Sequence, residues 1–243
     1  MNKKKIAAVV LAAGQGKRMG TTTAKQFLLL DGKPVLYYAL CAFEDSMVDS
    51  IILVTGKDEI EYCKEEIVDR YGFTKVKNVV AGGKERYHSV ACGLRALKES
   101  GDEIEMVLIH DGARPFVTEE MIGRLVEETR VNKACVIGTP VKDTIKIADE
   151  AGFCDQTPQR DKVWAVQTPQ AFLFDLVQGA YEALLVNEEE LLSQGIRVTD
   201  DAMVVEYMTN QKVRLVEGDY TNIKLTTPED LLIAEAFLQK RKK

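Results

Sequence analysis

The sequence predicts an α/β fold: a mostly parallel sheet with helices on both faces. Two observations point to it. Short runs of small and β-branched apolar residues alternate along the chain with amphipathic stretches of helical length. The first such run, within AAVVLAAGQGKRMGTTTAK (residues 7–25), has the composition of a strand buried on both faces and breaks into a glycine-rich loop. The chain has 243 residues and no Pro/Gly/Ser-rich linker, so one domain over 1–243 is expected.

Each element has its own signal. Residues 5–12 form the first strand and 25–30 a short extended piece. Asp31-Gly32-Lys33-Pro34 is a turn that places Pro at a helix start. The helix over 34–43 sets Leu36, Ala39, Leu40 and Phe43 at helical spacing. A second buried strand spans 50–55, an acidic helix spans 59–71 and stops at Gly72, and a third strand spans 75–80. The amphipathic helix over 85–99 turns Val90, Leu94 and Leu97 inward, and the strand over 104–110 runs into DGARPF. Thr118 precedes a helix to Asn132, with Glu119 and Glu120 suiting its dipole.

The pattern then changes. Residues 136–140 are strand-like, and so are 141–147 and 162–166, with a polar tip over 148–161 and no helix between. This describes a protruding β-hairpin arm, inserted at about 139–166, and a partner subunit is the economical cover for it; an ordinary lid folding back over its own chain is the alternative. Helices follow over 174–185 and 188–194, and Val198-Thr199-Asp200-Asp201 caps a short helix to Met208. A strand over 212–216, an extended piece over 222–224 and a helix over 228–239 complete the chain.

Composition removes several classes of function. The net charge of −6 argues against a general nucleic-acid binder. Five scattered cysteines, never in CxxC spacing, indicate reduced thiols in a cytoplasmic protein. The apolar run behind MNKKK is too short to span a bilayer and too soon interrupted by cations for a signal peptide.

Gly14, Gly16 and Gly20, with Lys17, Arg18 and Lys25, suit a phosphate: glycines let backbone N–H groups approach an anion, and the cations neutralise the remainder. Neither glycine register gives a Walker A loop, and Met19 stands where G-x-G-x-x-G needs its third glycine. The loop fits a nucleoside triphosphate better, with Arg18 and Lys25 stabilising charge at the α-phosphorus and on the leaving pyrophosphate. Solvated lysines beside a glycine loop are the plain alternative. Asp111 ends the fourth strand, at the edge where open α/β sheets bind ligands. It suits a hydroxyl or a nearby Mg²⁺, and Arg114 can pair with it; an Asp–Arg pair fixing the loop is the alternative. His110 reads as a packed residue. His88 beside Ser89 makes no hydrolase, since helix neighbours point apart and no G-x-S-x-G elbow exists. Gly82-Gly83-Lys84-Glu85-Arg86 opens a helix whose backbone is available to a base edge.

Taken in order, LAAGQGKRMG with AKQF, GGKERYHSV, HDGARPF, VKDTIK, QTPQAF, VTDDA and NIKLTTPEDL resemble the 2-C-methyl-D-erythritol 4-phosphate cytidylyltransferases over nearly the whole chain. The resemblance implies a Rossmann-like nucleotidyltransferase fold and transfer of CMP from CTP to methylerythritol 4-phosphate, with release of pyrophosphate. It implies a homodimer clasped by the arm and Mg²⁺ held mainly by the triphosphate. Ala12, Ala13, Gly14 and Gly16 would cradle CTP, with Gly83 and Ser89 at cytosine and ribose. Arg18 and Lys25 would be the transition-state cations. Asp111 would hold the methylerythritol hydroxyls, with Gly112 and Thr168 nearby, and Lys224 would reach the acceptor phosphate. Thr144 and Arg160 would reach that phosphate in the neighbouring subunit. Ala24 stands where many members of the family carry Pro, which bears on the loop that holds Lys25; Leu11 stands where some members carry Pro, a change of no expected consequence. The ribitol 5-phosphate cytidylyltransferases are the nearest rival; their fourth-strand motif usually reads HDSVRPF, with a tyrosine-containing stretch before QTPQ, where this chain has HDGARPF and Val163-Trp164-Ala165. A nucleotide-sensing or NAD-binding protein is the rival from another class, and gives Lys25, Asp111 and Lys224 no reason to accompany the loop.

Overall fold

Period-two alternation builds the central strand. In β1 (Lys5–Ala12), Ile6, Ala8, Val10 and Ala12 pack into one apolar layer, and Ala7 and Val9 into the other, so the unbroken apolar run is covered on both sides. A computed structural model of the chain describes residues 4–14 and 24–241. Gly16, Arg18 and their neighbours over 15–23 lie outside the described residues.

After a 3₁₀ turn at Lys25–Phe27, β2 (Leu29–Leu30) and β3 (Lys33–Pro34) make a small ladder ahead of α1 (Val35–Asp45). Next come β4 (Ser50–Thr55), α2 (Ile60–Tyr62), β5 (Val76–Ala81), α3 (Arg86–Glu99) and β6 (Ile104–Asp111). Strand β1 lies parallel to both β4 and β6, and β4 carries β5 at the edge. The chain leaves β1 toward β4 and later returns to its other side, which makes the β1–β6 junction a topological switch point. Helix α4 (Glu119–Asn132) leads to β7 (Ala134–Pro140), and β10 (Trp164–Leu173) inserts antiparallel between β6 and β7. Strand β11 (Arg214–Glu217) closes the sheet parallel to β7, giving the order β11-β7-β10-β6-β1-β4-β5.

Helices cover both faces, as the pattern predicts. Leu36, Leu40 and Phe43 of α1 and Met121 and Leu125 of α4 enter one layer. Val90 and Leu94 of α3 enter the other, with residues of α5 (Phe174–Val186), α6 (Glu188–Ser193) and α7 (Asp201–Thr209). The last helix, α8 (Pro228–Arg241), sets Ala234 and Phe237 against Phe116 and Leu225.

Several expectations change. Between β7 and β10 the chain forms only β8 (Ile147–Ala148) and β9 (Cys154–Gln156), paired antiparallel. The strand expected over 141–147 is therefore absent except at its end. Its side chains are almost all exposed within this chain, and an isolated hairpin has little to hold it. The strand expected over 162–166 continues through QTPQAF as β10, because a register shift between Val166 and Gln170 takes Pro169 out of the ladder. The 59–71 helix is mostly π-helical, over Cys63–Asp69. Lys25 sits on a 3₁₀ turn, not on an extended piece.

Glycine fixes how closely α3 approaches the sheet. A Cβ at Gly93 would lie 2.5 Å from Val9 Cγ1 and 3.1 Å from Val54 Cγ2, both stiff strand side chains. Gly93→Val should lower unfolding stability by about 1–3 kcal/mol, measured by urea denaturation. An unchanged midpoint would show that α3 can move off the sheet freely.

Candidate active site

A cleft of about 690 Å³ opens at the carboxyl ends of β1 and β6, where Leu11 and Asp111 are register partners. Its wall brings together residues from four separate motifs: Gly14 after β1, Lys25, Ser89 on α3, and Lys224 beside Asp111. A second cleft of about 330 Å³ also includes Asp111, Arg86 and Lys224 in its wall, together with Thr168, Gln170 and Arg114.

Local hydrogen bonds explain each placement. The buried Gln26 side chain donates to the Ala12 carbonyl and so ties the turn carrying Lys25 to the end of β1. Phe27 anchors the same turn through an edge contact with Tyr62. Glu85 caps α3, and its backbone N–H donates to His88 Nδ1 in a capping box. The Ser89 hydroxyl accepts from the Gly83 N–H at 3.1 Å. A side chain at Gly83 would collide with His88, so only glycine allows this entry to α3. Asn222 is fully buried and donates to Gln167 Oε1 and the Thr168 carbonyl, which docks the segment that presents Lys224.

One carboxylate collects the charges. Asp111, 7% exposed, takes Lys224 Nζ at 2.7 Å on Oδ2 and Arg86 Nε at 3.2 Å on Oδ1. Burial alone would raise its pKa; the Arg86 and Lys224 charges overcome that and hold it well below the usual carboxylate range. Arg86 in turn forms a two-bond fork with Asp201, 2.8 Å at each oxygen. Tyr181 donates its hydroxyl to the same fully buried Asp201. The expected Arg114 partner of Asp111 is thus replaced by Arg86: the Arg114 guanidinium donates to the Asn222 carbonyl at 2.7 Å.

A second chain of bonds sets the backbone of Asp111. Its N–H donates to Thr168 Oγ1 at 3.0 Å, and the Thr168 hydroxyl lies 3.2 Å from His110 Nδ1. His110 Nε2 lies 3.1 Å from the Arg114 carbonyl, which can only accept, so Nε2 carries the proton and Nδ1 accepts from Thr168. Complete burial pushes the His110 pKa down to about 4. It is a neutral packing residue, as expected.

The other predicted residues divide. Ala12 is buried at the end of β1, while Ala13 and Gly14 reach the cleft. The Gly112 N–H donates to the Leu11 carbonyl, and a side chain there would meet Leu36 and that carbonyl, so its visible role is close packing of β6 on β1. Thr144 and Arg160 are exposed between β7 and β10, and neither lines a described cleft of its own chain. Gly16 and Arg18 lie outside the described residues. Sequence reasoning missed Arg86, Asp201 and Gln26 as site-building residues. The lone polar Gln26 inside KQF and the doubled acid of TDD were the available signals.

Cations and helix-start N–H groups around a cleft, with no nucleophile–base pair formed there among the described residues, suit stabilisation of charge on phosphates more than proton chemistry. The fold is that of a nucleotidyltransferase. A family model described as 2-C-methyl-D-erythritol 4-phosphate cytidylyltransferase matches residues 6–240. A relative of that name from Lachnoclostridium phytofermentans is 50% identical over 236 residues, covering 97% of each chain. Another, from Geobacter metallireducens, is 46% identical and covers 96% of this chain and 97% of its own. The crystal structure of 4-diphosphocytidyl-2C-methyl-D-erythritol synthase from Anaerococcus prevotii superposes with a TM-score of 0.80 at 38% identity, over 97% of this chain and 96% of that one. The chain belongs to the 2-C-methyl-D-erythritol 4-phosphate cytidylyltransferase family.

The neutral His110 links fold stability to pH. Its folded pKa of about 4 lies below the ordinary 6.5, so the unfolded chain binds the extra proton between those values. The resulting stability is complete above about pH 6.5 and disappears as pH falls toward 4, about 3 kcal/mol in all. Urea unfolding across this window should show the loss, and His110→Gln should flatten it. An equal slope in the variant would remove His110 as the cause.

Proposed function

We propose a division of labour among these residues for the family's reaction. The chain is a cytidylyltransferase: it transfers CMP from CTP to 2-C-methyl-D-erythritol 4-phosphate, giving CDP-methylerythritol and pyrophosphate in isoprenoid precursor synthesis. The observation that carries the assignment of roles is the convergence of Gly14, Lys25, Ser89, Asp111 and Lys224 on one cleft at the switch point.

CTP lies along the end of β1, its triphosphate against Ala12, Ala13, Gly14 and Gly16 and its nucleoside toward Gly83 and Ser89. The acceptor lies across Asp111 and Lys224, extending toward Thr168 and Gly112. Asp111 accepts from its hydroxyls, and Lys224 meets its phosphate. A phosphate oxygen of the acceptor forms a bond to the α-phosphorus as the bond to the β-phosphate oxygen breaks. Pyrophosphate leaves with the electron pair. The nucleophile is already an anion, so no base is required. Arg18 and Lys25 stabilise charge on the transferring and leaving groups, and positioning contributes the rest.

Mg²⁺ enters as part of the substrate, bound to the triphosphate of CTP. Both Asp111 oxygens already face cations, so the triphosphate and water would supply most of the Mg²⁺ ligands.

The segment between β7 and β10 serves a homodimer. Ile147 and Phe153 are 46% and 72% exposed on it, which a second subunit would cover, and Thr144 and Arg160 then reach the acceptor phosphate in the neighbouring site. The enzyme works in the cytoplasm, where its five cysteines remain thiols. No described helix is long and apolar enough to cross a membrane.

Pyrophosphate release with CTP, Mg²⁺ and either methylerythritol 4-phosphate or ribitol 5-phosphate tests the acceptor. Turnover of ribitol 5-phosphate alone would refute the assignment. Lys25→Ala should lower kcat by about 100- to 1,000-fold with the fold retained; near-normal turnover would exclude its role. Arg160→Ala should raise the KM for the acceptor. Allowed to exchange subunits with Lys25→Ala in equal amounts, it should recover about a quarter of wild-type activity, because half the dimers hold one intact composite site. No recovery would place Arg160 and Lys25 in the same subunit's site.

A further inference from the structure

Arg86 stands on the boundary of both clefts, yet its guanidinium is directed at protein. It begins α3, the helix whose entry also presents Gly83 and Ser89. All three of its nitrogens are engaged: Nε with Asp111, and the two terminal nitrogens with Asp201. Both Asp201 oxygens are taken by that fork, and one also accepts from Tyr181. Asp201 is fully buried and absent from the walls of both clefts, so it has no access to a substrate.

Asp201 is itself held firmly. Asp200 caps α7 by accepting from the Met203 N–H, and Gln170 spans the same turn, donating to Asp200 and accepting from the Ala202 N–H. Asp201 thus sits in the first turn of α7, where the helix dipole favours its charge. The line runs from α7 through Asp201 and Arg86 to Asp111, and from Asp111 to Lys224.

A buried ion pair contributes little net stability after its desolvation cost, while removing one partner is severe. The fork between Arg86 and Asp201 therefore calls for an explanation in geometry. We propose that Arg86 is a positioning residue for the acceptor: braced by Asp201, it fixes the rotamer of Asp111 and thereby the seat of Lys224, and it ties that pair to the helix that frames the nucleotide. The inference rests on the reading that Asp111 and Lys224 face the acceptor. Lysine at position 86 keeps the charge but cannot hold Asp201 with two bonds and Asp111 with a third.

Steady-state kinetics and calorimetric CTP binding with Mg²⁺, on the full-length protein, test the proposal with Arg86→Lys, Asp201→Asn and Asp111→Asn. Arg86→Lys and Asp201→Asn should each lower kcat/KM for methylerythritol 4-phosphate by about 100-fold, while the Kd for CTP changes less than about threefold. Their double variant should be little worse than either single one, because both act through the same contact. A CTP affinity that falls in parallel with kcat/KM would make the pair a general structural support and overturn the proposal. Normal acceptor kinetics in Asp201→Asn would do the same. Should Asp201→Asn fail to fold, Arg86→Lys, which keeps a cation in the site, decides the question by the same split between acceptor and CTP. If Asp111→Asn alone leaves acceptor kinetics unchanged, the acceptor reading has failed; if it impairs them and Arg86→Lys does not, only the Arg86 proposal has.

Discussion

The site depends on one carboxylate kept ionised while almost out of water. Desolvating such a group costs several kcal/mol unless cations and hydrogen bonds compensate. Asp111 has two cations, and they come from distant parts of the chain: Arg86 at the start of α3 and Lys224 beyond the last strand. Much of the topology can be understood as delivering those partners. β6 must lie beside β1 so that Asp111 shares a cleft with Ala13 and Gly14. β10 must lie on its other side, because Thr168 holds the Asp111 N–H and Gln170 holds the start of α7.

The antiparallel β10 shows how a functional site modifies a regular sheet. A continuous ladder would leave the Thr168 and Gln170 side chains to ordinary alternation. The register shift between Val166 and Gln170 frees that stretch from strict pairing. Gln167 then donates to the Asp219 carbonyl, Thr168 turns to Asp111 and His110, and the Thr168 carbonyl accepts from Asn222. One irregularity thus fastens β6, the approach to α7 and the segment of Lys224 together.

The fold was legible where burial followed a simple period. The alternation in β1, the helical spacing in α1 and α3, and the cap at Thr118 all carried through. β10 was obscured because Pro169 and three buried polar residues, Gln167, Thr168 and Gln170, disguise a central strand as a loop. The site was legible only in pieces. Gly14, Lys25 and Asp111 carried signals of type and position, while Lys224 entered only through the order of the motifs and the family they resemble. Arg86 and Asp201 looked like ordinary charges at helix starts, because the pairing that buries Asp201 against a half-buried Arg86 is tertiary and has no local spacing. Arg114 was assigned to Asp111 for the opposite reason: sequence proximity suggested a contact that the loop geometry directs to Asn222.

The electrostatics of the site match a reaction that moves no proton. A general acid or base works best with a pKa near the operating pH. Here the two titratable groups at the carboxyl end of β6, His110 and Asp111, both have pKa values pushed downward, away from the operating pH. His110 stays neutral until about pH 4, and Asp111 stays charged well below the usual carboxylate range. Each therefore keeps one protonation state throughout the physiological range, and the field they impose on the cleft is constant. A phosphate nucleophile arrives already ionised, so a fixed field is what its transfer needs. On that argument the buried network around Asp111 is suited to placing charge and to keeping protons out of the reaction.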